Sequence, residues 1–164
     1  MKWGRSIFYQ FIRTLHQITL NFMYQYKTAA PNRYVLSLDN HVAIMDALQA
    51  FCAEKEIFAG TVSGLGAICE ATFRFLDPST LAYVDKTFAE QMEITNLTGN
   101  ISCKDGKPYL HVHITASRRD YTCVGGHLLN ARINGACELV VEHYPEARIG
   151  RRQDEETGLN LYQF

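Results

Sequence analysis

Three histidines in the middle of this 164-residue chain have the spacing of a metal-binding site. His111 and His113 stand at positions i and i+2 of a β-rich run, so both imidazoles leave the same face of a strand. Side chains about 6.6 Å apart along a strand can converge on one ion, because a zinc–nitrogen bond is roughly 2.0 to 2.1 Å long. His127 follows Gly125-Gly126, a pair whose backbone can approach a neighbouring strand closely or adopt positive φ. The pattern predicts a site with three histidine ligands; a solvated polar strand face is the alternative interpretation.

A predicted β-hairpin positions the first two histidines. Asp105-Gly106 is a dipeptide typical of two-residue hairpin turns. Folding the chain at this turn places His111 opposite Asn100 and His113 opposite Thr98, on a face that is polar throughout. Period-two alternation then makes the other face the core face. The predicted core-face residues are Leu97, Gly99, Ile101, Cys103, Leu110, Val112 and Ile114.

Two carboxylates are candidates for orienting the imidazoles. Asn134-Gly135 is a second dipeptide typical of hairpins, and a two-residue turn there would place Glu142 opposite His127. Glu138 would lie on the same face. Because a carboxylate that accepts a hydrogen bond from a ligating imidazole fixes the ring orientation, Glu138 and Glu142 are predicted to lie beside the site.

The loop between the strands that carry the histidines contains Arg118 and Arg119. Three interpretations of these arginines are open: solvation of the loop, binding of an anionic ligand, or contact with a neighbouring subunit. Asp120 follows them and is, with Glu138 and Glu142, a candidate proton-transfer group if the site is catalytic.

The remaining elements predict an α+β fold with a mainly antiparallel sheet and one principal helix packed on it. A β-rich run at Tyr34–Leu38 is followed by Asp39-Asn40, which favours a helix N-terminus, and the helix is expected to continue to about Glu56. Turn dipeptides such as Asp77-Pro78 separate the strands that follow. The predicted strands are Phe58–Ser63, Ala67–Leu76, Leu81–Phe88, Met92–Cys103, Tyr109–Ala116, His127–Ile133 and Ala136–His143.

Composition and charge restrict the class of protein. With 47% hydrophobic and 20% charged residues, the chain has the composition of one globular domain with a core. Residues 1–33 hold five of the 16 basic residues and none of the 17 acidic ones, which leaves a net charge of −6 on the remainder. An acidic body is a poor match for a phosphate backbone, so DNA binding would depend on a local patch or on the N-terminal segment.

The cysteine pattern favours a reducing compartment. The five cysteines form no C-x-x-C pair, so we expect reduced and mostly buried thiols and a cytoplasmic protein. No run of about 18 apolar residues is present, which makes a membrane-spanning chain improbable.

Three segments are expected along the chain. Residues 1–22 form an amphipathic extension, residues 23–146 the domain, and residues 147–164 a C-terminal tail that packs on the domain. Arg5, Arg13 and His16 interrupt the apolar stretch that a cleaved signal peptide requires. The extension would cap the domain or a subunit contact, lie on a membrane surface, or precede a true start at Met23.

The central motifs resemble the signature of the plant and prokaryote conserved (PPC) domain family. The resemblance covers about residues 34–142 and implies an α+β homotrimer whose three histidines form a zinc site near the subunit boundary. Bacterial members are described as putative DNA-binding proteins by analogy with plant relatives that carry an AT-hook, a segment missing from this chain. The matching motifs are Gly64-Leu-Gly-Ala67, Glu93-Ile-Thr-Asn-Leu-Thr-Gly-Asn100, Gly106-Lys-Pro-Tyr-Leu-His-Val-His113, Gly125-Gly-His-Leu128 and Ala136-Cys-Glu-Leu-Val-Val141.

Residues and resemblance together favour a homotrimeric module that binds zinc or another divalent metal and has a binding or regulatory role. An enzyme is the first alternative, because three histidines and a water form the arrangement of catalytic zinc. A structural trimer without metal, in which the histidine face is a subunit contact, is the second.

Overall fold

Nine strands and one helix form the part of the chain that the computed structural model describes, residues 23–164. The predicted amphipathic extension lies outside these residues. In chain order the elements are β1 (Tyr24–Ala30), β2 (Arg33–Leu38), α1 (Ile44–Glu54), β3 (Gly60–Asp77), β4 (Ala82–Phe88), β5 (Met92–Lys104), β6 (Lys107–Ser117), β7 (Cys123–His143), β8 (Gly150–Gln153) and β9 (Asn160–Gln163).

The two longest strands, β3 and β7, pair with each other along nearly their whole lengths and organise the sheet. On its other edge β3 pairs with β5 and then with β4, whereas β7 pairs with β6 near its start and with β2 near its end. Because β5 also pairs with β6, strands β3, β5, β6 and β7 close a circuit. All these pairs are antiparallel, so the predicted α+β fold with a mainly antiparallel sheet is confirmed.

Helix α1 covers the core side of the sheet with one apolar stripe. Phe51 is fully buried, and the rings of Tyr24, Tyr26 and Tyr34 lie 5.5, 5.3 and 5.4 Å from its ring centre. Edge-on aromatic contacts of this kind favour one ring arrangement over others. The other buried residues of the helix are Ile44, Ala47, Leu48 and Cys52.

The helix begins later than the sequence predicts. Its first residue is Ile44 and the preceding Ala43 makes no side-chain cap. The Asn40 side chain instead accepts hydrogen bonds from the backbone N–H of His41, at 3.1 Å, and of Gly135, at 3.0 Å. Asparagine side chains can bond to nearby or distant backbone groups in place of capping a helix. Here Asn40 links the loop before α1 to β7 and does not cap the helix.

The hairpin at Asp105-Gly106 forms in the predicted register. Asn100 lies opposite His111 and Thr98 opposite His113. Turn chemistry and alternation are local signals that agree at this point. Of the predicted core face, Leu97, Ile101, Cys103, Val112 and Ile114 are buried, and Gly99 and Leu110 are partly so.

The predicted hairpin at Asn134-Gly135 does not form. Strand β7 runs without interruption through this dipeptide, and Gly135 adopts a φ of +130° beside shifts in the β3–β7 register. Positive φ and a local register shift are properties of a β-bulge. The long partner β3 continues on both sides of the irregularity, so the chain bends there and does not reverse.

The structure adds elements that the sequence did not indicate. Strand β1 was not predicted, because most of its residues are exposed at the edge of the sheet and show no alternation. Residues 147–164 return as the hairpin β8–β9, with Gly150 beside Cys103 of β5. The five cysteines are free, and Cys52, Cys103 and Cys137 are buried. No helix within residues 23–164 has the length and apolar character that crossing a membrane requires.

Candidate metal centre

Strands β6 and β7 bring the three predicted histidines together. His113 lies directly opposite His127 across the two strands, and His111 is two residues away on the same face. One ring nitrogen of each histidine lies within 4.8 Å of the other two. The Nε2 atoms of His111 and His113 are 3.2 Å apart. The ring centres are separated by 5.0 to 5.4 Å.

The glycine pair before His127 makes this approach possible. A Cβ atom on Gly125 would lie 2.4 Å from the carbonyl oxygen of Ile114, so only glycine permits the observed distance between β6 and β7. Gly126 has a φ of +151°, a conformation that other residues rarely adopt. The sequence predicts close approach or positive φ for this pair. Gly125 permits the close approach and Gly126 adopts the positive φ.

The imidazoles of His111 and His127 are held in the neutral form that binds metal ions. Burial, reinforced by the neighbouring imidazoles and by Arg74, lowers the pKa of His127 to about 4. Burial also lowers the pKa of His111, and His113 and Arg151 act in the same direction. At neutral pH both rings are therefore uncharged, and an uncharged imidazole has a free nitrogen lone pair for a metal.

The donor set fits zinc. Two nitrogens bound to one tetrahedral zinc at 2.0 to 2.1 Å are about 3.4 Å apart, close to the 3.2 Å between the Nε2 atoms of His111 and His113. His113 is exposed, whereas the other two are half-buried, so the cluster is open on one side. Three protein ligands and an open position are the pattern of zinc sites that bind a further ligand.

An ion pair flanks the cluster at His127. Arg74 lies opposite His127 in the sheet and donates two hydrogen bonds to the Asp85 carboxylate, at 2.8 and 2.7 Å. The Arg74 guanidinium also stacks on Tyr83, 4.8 Å from the ring centre. Sequence reasoning missed this pair, because Arg74 faces Asp85 only across the four-residue loop 78–81, and a two-residue turn at Asp77-Pro78 gives a different register.

A second arginine lies on the other side of the cluster, and no local pattern in the sequence indicates it. Arg151 on β8 donates a hydrogen bond of 2.7 Å to the side-chain oxygen of Asn100, the residue opposite His111. Arg151 is distant from the histidines in the sequence, and only the return of the C-terminal hairpin to β5 brings it there.

Glu138 and Glu142 do not lie beside the histidines. Glu138 is opposite Leu65, and Glu142 is opposite Thr61 and forms an ion pair with Arg33. Because β7 is continuous, these carboxylates are about 36 and 50 Å along the strand from His127. The prediction that a hairpin brings them to the imidazoles is wrong, and it fails with the turn at Asn134-Gly135.

Arg118 and Arg119 lie in the β6–β7 loop, and they line a surface pocket with Glu90 and Asp120. Arg118 forms an ion pair of 2.8 Å with Glu90, which balances its charge. The Asp120 carboxylate accepts hydrogen bonds from the backbone N–H and the hydroxyl of Thr122, at 3.0 and 2.6 Å. None of these residues belongs to the histidine cluster.

Comparison with known proteins identifies relatives over almost the whole described chain. A putative DNA-binding protein from Bacteroides thetaiotaomicron is 54% identical, covers 87% of this chain and 98% of its own, and superposes with a TM-score of 0.84. A putative DNA-binding protein from Ralstonia eutropha is 31% identical, with coverages of 89% and 99% and a TM-score of 0.79. A metal-containing protein from Archaeoglobus fulgidus is 33% identical, with coverages of 86% and 98% and a TM-score of 0.76.

Among curated proteins, none matches the chain. The model of one family, the Plants and Prokaryotes Conserved (PCC) domain, matches residues 26–145. This is the family, abbreviated PPC above, that the histidine and glycine motifs resemble. The match spans most of the chain, and relatives above 30% identity share the fold over nearly their full lengths. The chain therefore belongs to the Plants and Prokaryotes Conserved domain family.

Proposed function

We propose that this protein binds one zinc ion per chain through His111, His113 and His127. The carrying observation is that a nitrogen from each ring lies within 4.8 Å of the other two. Neutral imidazoles are ligands for zinc, copper, iron and nickel, and zinc accommodates three of them with a fourth position open. The relative from Archaeoglobus fulgidus is described as metal-containing, which supports metal binding by a protein with this fold.

The role that we propose for the zinc centre is binding or regulation in a cytoplasmic homotrimer. Zinc with an open coordination position acts as a Lewis acid on an oxygen bound there. The enzyme alternative also needs a nearby side chain that accepts or donates a proton. The carboxylate that acts on His127 is Asp85, and both its oxygens already accept hydrogen bonds from Arg74. This engagement favours ligand binding over proton transfer.

The experiment is elemental analysis of the purified chain and of two variants. Wild-type protein is expected to hold about one zinc per chain. The double variant His111→Ala/His113→Ala is expected to hold none, because one imidazole remains. His41→Asn is the matched control, since His41 lies outside the cluster and its φ of +65° suits asparagine. Metal-free wild-type protein after reconstitution with zinc would contradict the proposal.

DNA binding is a second candidate, favoured by the descriptions of the two bacterial relatives. Arg33, Arg74 and Arg118 are each paired with a carboxylate, which reduces the positive charge available to phosphates. If the chain binds DNA, a duplex should be retarded in a salt-dependent manner, and neutralising Arg118, Arg119, Arg151 and Arg152 should weaken the retardation. Absence of retardation at low salt would remove this candidate.

A further inference from the structure

Arg151 is fixed by neutral groups. Its Nε donates a hydrogen bond of 2.7 Å to the Ser102 hydroxyl, and its two terminal nitrogens donate to the Asn160 carbonyl at 2.6 Å and to Asn100 Oδ1 at 2.7 Å. Two of the five guanidinium hydrogens remain after these bonds. The side chain is therefore held in one orientation with donors to spare.

Aromatic rings complete the surroundings of this guanidinium. Its central carbon lies 4.7 Å from the ring centre of Tyr109 and 4.4 Å from that of Tyr162. Tyr109 is fixed in turn, because its hydroxyl accepts a hydrogen bond of 3.3 Å from Asn160. Stacked cations of this kind keep their full charge.

Arg151 differs from Arg74 and Arg118, the other half-buried arginines among the described residues, in having no carboxylate partner. Within residues 23–164, salt bridges pair Arg33, Arg74 and Arg118 with acidic side chains, and Arg151 forms none. A half-buried positive charge without a counter-charge is costly. An anion from outside the chain would supply that counter-charge.

The unbalanced charge lies next to the histidine cluster. Asn100, which accepts from Arg151, is the cross-strand partner of His111, and Tyr109 precedes His111 by two residues on the same face of β6. Cross-strand partners have Cβ atoms about 4.5 to 5.5 Å apart. Asn100 therefore links the Arg151 guanidinium to the strand position directly opposite His111.

Charge at this place accumulates when a metal is bound. Three neutral imidazoles leave the two positive charges of a divalent ion uncompensated, and Arg151 adds a third. On the other side of the cluster Asp85 cancels the charge of Arg74. The excess positive charge is therefore concentrated at one end of the histidine cluster, where His111, Asn100 and Arg151 lie.

We propose that Arg151, supported by Asn100, is the anion-recognition residue of the metal centre, and that the ligand is a small molecule with a carboxylate or phosphate group. This inference rests on the proposed zinc site. The charged oxygens of the ligand interact with the metal and with the remaining guanidinium hydrogens, since guanidinium groups match the geometry of both oxyanions. The C-terminal hairpin β8–β9 is thereby part of the site and supplies its selectivity for anions.

The test uses the full chain loaded with cobalt(II), whose visible spectrum reports ligands at the open position. Acetate and phosphate are titrated into wild-type protein, Arg151→Gln and Arg152→Gln at constant ionic strength. Arg152 is the matched control because it neighbours Arg151 on β8, is exposed, and its substitution removes the same charge. We expect Arg151→Gln to raise the dissociation constant of one or both anions about tenfold or more, since it removes a charge-assisted hydrogen bond. Arg152→Gln should leave it nearly unchanged.

The outcomes separate this inference from the proposed function. If wild-type protein takes up no cobalt, the metal site itself fails. If cobalt binds to all three proteins and Arg151→Gln binds both anions like wild type, the metal site stands and the role of Arg151 is overturned. A loss confined to acetate assigns a carboxylate ligand, and a loss confined to phosphate assigns a phosphate.

A second variant keeps the test valid if Arg151→Gln fails to fold. Arg151→Lys retains the charge and the aliphatic stem but loses the planar fork of donors. It is expected to preserve the C-terminal hairpin, measured by circular dichroism and cobalt stoichiometry, and to weaken anion binding less than the glutamine variant. Wild-type anion affinity in a folded Arg151→Lys protein would contradict recognition by a fixed guanidinium.

Discussion

At the scale of single residues, protonation of the imidazoles governs the site. Burial and neighbouring positive groups hold His127 neutral, with a pKa of about 4. A proton on any of the three rings competes directly with a metal. The lowered pKa of His127 moves this competition to more acid solution, so we expect a metal at the proposed site to be displaced only as the pH falls toward 4.

The first prediction concerns the stability of metal-free protein. An unfolded histidine has a pKa of about 6.5, so between pH 6.5 and pH 4 the unfolded chain binds a proton at His127 that the folded chain does not. Stability is then present above pH 6.5 and declines as the pH falls toward 4. Urea unfolding of chelator-treated protein should show a midpoint that drops over this range.

The control for this prediction is His127→Gln, which removes the titrating group and keeps a polar side chain. Its unfolding midpoint should depend less on pH between 6.5 and 4 than that of wild-type protein. Equal pH dependence of the two proteins would show that His127 is not held neutral in the fold.

The sequence predicts those site residues whose contacts lie within one strand or one hairpin, and it does not predict those that come from distant strands. His111 and His113 share a strand, and their convergence follows from alternation alone. Arg151 and the Arg74–Asp85 pair reach the same place through strand order, which no local pattern in the chain encodes. The predicted placement of Glu138 and Glu142 beside the imidazoles is wrong for the same reason. It assumed a hairpin turn at Asn134-Gly135, and the pairing of β7 with β3 prevents that turn.

At the scale of elements, two glycine-containing dipeptides that both favour turns have opposite outcomes. Asp105-Gly106 reverses the chain because β5 and β6 are adjacent partners whose exposed and buried faces match. Asn134-Gly135 does not, because β3 pairs with β7 on both sides of the dipeptide. Dipeptide chemistry indicates where the backbone can bend, and the partner strand determines whether it turns.

The second prediction tests the glycine that sets the spacing of β6 and β7. Gly125→Ala should lower zinc affinity and destabilise the fold by about 1 to 3 kcal/mol, since the new Cβ would overlap the Ile114 carbonyl. Isothermal titration and urea unfolding measure the two effects.

Gly150→Ala is the matched control, because a Cβ there meets nothing closer than 3.8 Å. That substitution should change stability by no more than about 0.5 kcal/mol. If Gly125→Ala binds zinc as tightly as wild-type protein, close approach of the two strands is not a requirement of the site.

At the scale of the whole molecule, the fold combines a covered core with exposed apolar side chains. Phe75 is 66% exposed and Val84 56%, and the two residues are cross-strand partners on β3 and β4. Exposed apolar residues that are close together on a sheet mark interaction surfaces. The homotrimer that the family resemblance implies stays a prediction, and this patch is a candidate surface for its contacts. The single chain explains the strand order and the histidine cluster.

The third prediction is the mass of the assembly. Sedimentation equilibrium at micromolar concentration should give three times the 18.7 kDa of the chain. Metal-free protein should be run in parallel, because a trimer that persists without metal shows that the apolar contacts are sufficient. A species of one chain mass throughout the concentration range would contradict the trimer.

Diffraction from zinc-soaked crystals on both sides of the zinc absorption edge tests the proposed zinc site most directly. We expect one anomalous peak per chain, bonded to a ring nitrogen of His111, His113 and His127 at about 2.0 to 2.1 Å. A peak at other side chains, or no peak at saturating zinc in crystals with the three rings accessible, would contradict it.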